Sequence, residues 1–114
     1  DKISILMIKK KNISDSIKLE HVAKELEFLQ KTLKEYISED KINKFVQELV
    51  NINSKLWKIE DDIRECERNK LFDQTFIDLA RSVYFTNDQR AKIKNDINKN
   101  FGSELVEVKS YEEY

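Results

Sequence analysis

The chain has 114 residues, 39% hydrophobic and 38% charged, with no Pro, one Gly, one Cys and one His. That length fits one domain, residues 1–114; the regular spacing of apolar residues excludes disorder, and the near-absence of Pro and Gly excludes a strand-and-turn architecture in favour of an all-α fold. The charges nearly cancel, 21 Lys+Arg against 22 Asp+Glu for a net −1, so there is no basic excess to grip a nucleic acid, and the lone Cys66 excludes an intrachain disulfide and a cysteine-based zinc site.

The opening "DKISILMIKKKNI" spaces Ile3, Leu6, Ile8 and Ile13 along a short apolar run closed by Lys9, Lys10 and Lys11, which suit a helix C-terminus. It predicts a first helix over about residues 1–12, with no N-cap of its own and therefore expected to begin upstream. The chain opens on Asp rather than Met and carries no information on targeting signals before it.

Leu19, Val22, Leu26, Leu29, Leu33 and Tyr36 then alternate steps of three and four, the spacing of a coiled-coil seam. With Ser14 or Ser16 as cap, they predict a second helix over about residues 16–37.

Ser38 is the expected cap of a third helix, over about residues 39–70, with Glu39 and Asp40 at its positive end and Arg68 and Lys70 at its close. Its seam, Ile42, Phe45, Leu49, Ile52, Leu56, Ile59, Ile63 and Cys66, is the strongest structural signal in the chain.

Asp73 is the expected cap of the fourth helix, over about residues 74–101, with Phe72 and Ile77 spaced as a hydrophobic staple. Its stripe, Phe76, Leu79, Ala80 and Val83, resumes at Ile93, Ile97 and Phe101 after the polar run Thr86–Arg90. Thr86 and Gln89 fit a capping box, yet the three-and-four rhythm continues through Thr86, Arg90 and Ile93, so one continuous helix is expected. Gly102 stands where a helix C′ residue belongs, and residues 103–114 are expected to form an extended arm. The short link between the third and fourth helices predicts a long antiparallel hairpin. The expected architecture is a four-helix, coiled-coil-like bundle: that hairpin, a shorter N-terminal helical pair and the arm.

Motifs for known chemistry are missing: there is no phosphate-binding glycine loop, no HExxH and no Cys/His cluster. His21 lies beside the second-helix seam, and Cys66 on a seam reads as a small hydrophobe. Glu60, Asp61 and Asp62 are consecutive and point to different faces, and no Glu-x-x-Glu or Glu-x-x-His pairs repeat on facing helices, so neither metal nor cofactor is expected.

With the turn near residues 70–72, antiparallel pairing sets Thr86 and Asn87 opposite Leu56 and Trp57, and Arg90 near Asn53. Trp57, Glu60, Arg64, Arg81, Tyr84, Asn87 and Arg90 are then expected to gather at mid-height. Two readings stand. Such a group can be a polar layer that fixes helix register. It can also be a binding site for a small anion, a sugar or a nucleotide, since an aromatic, amides, arginines and a carboxylate suit such ligands.

The stretches "LWKIEDDIRECE", "LARSVYFTNDQRAKIKNDIN" and "GSELVEVKSY", with the opening "DKISILMIKKKNI", resemble a family of short helical bacterial and phage proteins of unknown function. The resemblance covers nearly the whole chain. It implies a context, since such proteins are sometimes encoded beside glycosyltransferases for surface polysaccharide, but it implies no catalytic residue.

The function expected first is therefore a non-enzymatic assembly or adaptor module, a homo-oligomer with a dimer favoured, because a long narrow hairpin leaves one side of its seam open. The alternative is a protein or enzyme that takes a phosphorylated or sugar-nucleotide-like molecule at the mid-hairpin group. No stretch reaches the ~20 apolar residues of a membrane span, so a cytoplasmic protein with no membrane partner is expected. Nucleic-acid binding through Lys9, Lys10 and Lys11 ranks last.

Overall fold

The structure, a computed structural model, describes the backbone of residues 1–112 and the side chains of residues 1–106. The described residues form four helices: α1 (Lys2–Asn12), α2 (Ser16–Tyr36), α3 (Glu39–Arg68) and α4 (Gln74–Glu112). The fold is the expected all-α bundle built on an α3–α4 hairpin.

Each boundary has a local cause. Asp15, rather than Ser14 or Ser16, caps α2: its Oδ1 accepts from the backbone of Ile17 at 3.0 Å and of Lys18 at 3.1 Å. A carboxylate at the positive end of a helix adds charge to the hydrogen bonds a serine would make. Asp73 caps α4 in the same way, through the Thr75 and Phe76 amides. Phe72 packs edge-on against Phe76 at 5.3 Å, and this ring pair replaces the expected contact with Ile77, which is exposed.

α3 ends in a Schellman turn. The Leu71 amide donates to the Cys66 carbonyl at 2.9 Å and the Lys70 amide to that of Glu67 at 3.2 Å. Lys70 takes the left-handed position, with φ 54°. Arg68 and Asn69 both bind the Glu65 carboxylate, Arg68 most strongly, and hold its pKa below the usual carboxylate value.

α4 runs unbroken through Thr86–Arg90, so the polar run is helix. The only non-helical backbone inside it is at Phe101, with φ −135° and ψ 17°, and beyond that kink the helix resumes to Glu112. The extended arm expected over residues 103–114 is thus corrected to helix as far as Glu112; Glu113 and Tyr114 lie outside the described residues. Gly102 does not adopt a positive φ and so does not cap. The physical reason is burial. Leu105 lies one turn after Phe101, and a helical path sets both against the cluster of Leu33, Ile37 and Ile42.

The core runs along the inner half of the hairpin. Leu6, Val22, Leu26 and Leu29 join α1 to α2. Leu49, Ile52 and Ile97 join α3 to α4, with Phe45 edge-on to Phe101 at 5.7 Å. Beyond Ile59 the seam changes character. Ile63 and Cys66 on α3, and Phe76, Leu79 and Val83 on α4, are only half-buried.

Candidate functional site

The polar centre lies where α1 meets the hairpin. Asp1 stands at the N-cap of α1, but its carboxylate makes no capping bond and turns inward. Asn53 Nδ2 donates to Asp1 Oδ1 and to Ser4 Oγ, both at 2.9 Å. Arg90 donates through Nε to the same Oδ1 at 3.4 Å and forms a close ion pair with Oδ2. Lys94 Nζ, one turn on, is 3.5 Å from Oδ2. Ser4 Oγ donates in turn to the Asp1 carbonyl at 2.6 Å.

Three helices are thereby tied at one level. The structure brings these groups together because Asn53, one position after Ile52 of the α3 seam, is buried, Arg90 occupies a seam position of α4, and Asp1, Ser4 and Ile8 recur every three or four residues on one face of α1. The expected register, with Arg90 at the level of Asn53, is the one observed. Of this centre only Arg90 was in the expected group; Asp1, Ser4, Asn53 and Lys94 were absent from it, and for Ser4 a small polar residue on the apolar face of a short helix was the available signal.

The carboxylate accepts from an amide and lies between two cations, so it is a satisfied structural acceptor rather than a base with an open lone pair. Thr86, one turn before Arg90, is 2% exposed, and its hydroxyl has no hydrogen-bond partner among the described residues.

The seven residues expected to gather separate into three places. Arg90 belongs to the centre just described. Trp57 is half-buried one turn beyond Asn53. Glu60 and Arg64 are exposed i, i+4 neighbours 3.9 Å apart, with Asp61 3.7 Å from the same guanidinium. Arg81 and Tyr84 are exposed on α4, where Arg81 lies 5.8 Å from the Phe85 ring centroid and Tyr84 packs on Phe85 at 4.7 Å. The Tyr84 hydroxyl, with a smaller part from Asp78, raises the Arg81 guanidinium pKa. Asn87 is exposed. No hydrogen bond or ion pair joins Trp57, Glu60 or Arg64 to Arg81, Tyr84, Asn87 or Arg90 among the described residues.

A cavity of about 370 Å³ opens beside the Asp1 centre. Leu29, Leu33, Ile42, Val46, Leu49, Ile97 and Leu105 line it, together with the polar residues Asp1, Ser4, Lys94 and Asn98. None of the seven expected residues except the Asp1 neighbour Arg90 lies near it by any hydrogen bond, and none lines it. His21 is exposed, and no group of three or more His, Cys, Asp or Glu that could hold a metal occurs among the described residues. No helix among them is long and apolar enough to cross a membrane.

A short all-helical chain of this sequence matches one family model along its whole length, residues 1–114. The chain belongs to the family of unknown function DUF6165. No curated protein matches it, and no solved structure does. Membership in DUF6165 therefore assigns no activity, and the chemistry of this DUF6165 chain has to be read from its own side chains.

Proposed function

We propose that this DUF6165 protein is a non-enzymatic, single-domain helical assembly module that self-associates through the outer half of its hairpin. One observation carries the reading. The inner half of the hairpin is covered by α1 and α2, whereas the outer half is two helices alone, with Ile63, Cys66, Phe76, Leu79 and Val83 half-buried and Ile77, Tyr84 and Phe85 exposed. A two-helix seam buries one side of each helix, and a second hairpin supplies the missing side as a four-helix bundle. A net charge of −1 adds little self-repulsion. Sedimentation velocity over a range of protein concentrations tests it: a reversible dimer is expected, and a monomer at every concentration overturns it.

The cavity beside Asp1 favours a second reading, a small ligand with an apolar body and an anionic head facing Lys94. Thermal-shift screens with phosphosugars, sugar nucleotides and short alkyl phosphates test it, because a ligand of the native state raises the Tm. Unchanged melting with all three classes sinks it.

A further inference from the structure

The outer face of α4 carries a second seam that no described residue covers. Ile77, Ala80, Tyr84, Asn87 and Ala91 follow steps of three, four, three and four, and all five are exposed. Each stands one position after a residue of the core-facing seam Phe76, Leu79, Val83, Thr86 and Arg90. At 3.6 residues per turn the five fall in one strip, on the order of 100° round the helix from the core-facing one.

We infer that two copies meet along this strip with their α4 helices antiparallel. The inference rests on the self-association proposed above and gives it a face and a direction. In heptad terms Ile77, Tyr84 and Ala91 occupy a, Ala80 and Asn87 occupy d, Arg81 and Asp88 occupy e, and the half-buried Phe76 and Val83 occupy g.

The flanking charges select both the occupant and its direction. Antiparallel helices bring e positions opposite e positions, whereas parallel helices bring e opposite g. About a two-fold axis between Phe85 and Thr86, Arg81 and the partner's Asp88 lie on the same side of the seam, offset by about 3 Å along it and within reach of an ion pair, and the symmetry repeats the pair. In the parallel alternative Arg81 meets the partner's Phe76 and Asp88 meets the partner's Val83, with no charge satisfied. The charge pattern is thus complementary to a reversed copy of itself.

The same axis sets Tyr84 against the partner's Asn87 and Ala80 against the partner's Ala91. The two alanines let the helices approach closely, and an amide at a seam position fixes register at some cost in strength. Asn87, within the polar run that interrupts the apolar pattern of α4, thereby acquires a role outside the core.

Sedimentation velocity of the full chain, from about 10 µM to about 1 mM to cover a small interface, tests this with wild type, Arg81→Glu, Asp88→Arg and an equimolar mixture of the two variants. Both substitutions lie on the exposed surface, and circular dichroism verifies that each variant is folded. Each variant alone sets like charges together twice and is expected to dimerise at least roughly tenfold more weakly than wild type. The mixture pairs opposite charges again and is expected to regain wild-type dimerisation. Variants that each dimerise like wild type overturn the seam while leaving self-association in place. Weak variants that do not rescue each other overturn the antiparallel direction. A monomeric wild type overturns both the inference and the function on which it rests.

Discussion

Replacing Asn53 by Ala removes two hydrogen bonds from the level where α1, α3 and α4 meet. Asn53 is 7% exposed and donates at 2.9 Å to both Asp1 Oδ1 and Ser4 Oγ. The bond to a neutral hydroxyl contributes about 1 kcal/mol and the one to a carboxylate about 1.5–3 kcal/mol. After the substitution Oδ1 keeps the 3.4 Å contact from Arg90 Nε, and Oδ2 keeps Arg90 and Lys94. The Asp1 side chain is 20% exposed, so water can reach part of the vacated carboxylate. That replacement brings the expected loss down to about 2–3 kcal/mol.

For a chain of 114 residues the unfolding entropy is about 0.24 kcal/mol/K, so the loss corresponds to a Tm lower by roughly 10 °C. Urea unfolding at fixed protein concentration, followed by far-UV circular dichroism, measures it. The fluorescence of Trp57, the sole tryptophan and one turn from Asn53, gives a second signal. Asn51→Ala is the control: Asn51 is exposed, bonds only Gln47 at 3.1 Å, and is expected to change stability by less than about 0.5 kcal/mol. If Asn53→Ala also stays within about 0.5 kcal/mol of wild type, the polar centre does not hold the three helices together and its assignment as a structural layer is wrong.

Two further substitutions are expected to stabilise. Thr86→Val replaces a buried hydroxyl without a partner by a methyl group of similar size, and a gain of roughly 1 kcal/mol in urea unfolding is expected; a loss means that the hydroxyl is satisfied in solution, by water for instance. Gly102→Ala lies within the helical path of α4, at a position without positive φ where an added Cβ meets nothing within 4 Å. A gain of about 0.4–1 kcal/mol is expected, and a loss means that the bend at Phe101 needs the freedom of glycine.

Period and register made most of the fold legible. The seam of α3 fixed its length and its pairing with α4, and the level of Arg90 beside Asn53 follows from counting back from the turn. What counting cannot supply is the face. Glu60 follows Ile59 and Tyr84 follows Val83, so each is turned about 100° away from its seam neighbour and into solvent. Residues at one height of the hairpin therefore did not become one site. Asp1 and Ser4 were missed for a related reason. The apolar run Ile5–Ile8 marks α1 as a helix but leaves open which of its faces meets α3, and only tertiary packing decides that. The helical path after Gly102 was hidden because glycine usually stops a helix, whereas here the packing of Leu105 against the α2–α3 corner outweighs the cost of roughly 1 kcal/mol for a helical glycine.

The polar centre and the open seam together explain why the two halves of one hairpin behave differently. At the level of Asn53 the hairpin meets a third helix, and its polar groups are joined to one another: Asp1 with Arg90 and Lys94, and Asn53 with Asp1 and Ser4. A ligand competing for Asp1 would have to break bonds that hold α1 in place, so binding there would act against the fold. At the level of Val83 the opposite holds. No third helix arrives, and Ile63, Leu79 and Val83 keep part of their apolar surface in water. Full burial of such a side chain stabilises by about 1.5–3 kcal/mol, so completing it across several residues supplies a driving force for association without disturbing any contact already made. A function that uses the outer half adds to the stability of this protein, whereas one that uses the polar centre subtracts from it, and that difference favours assembly over catalysis.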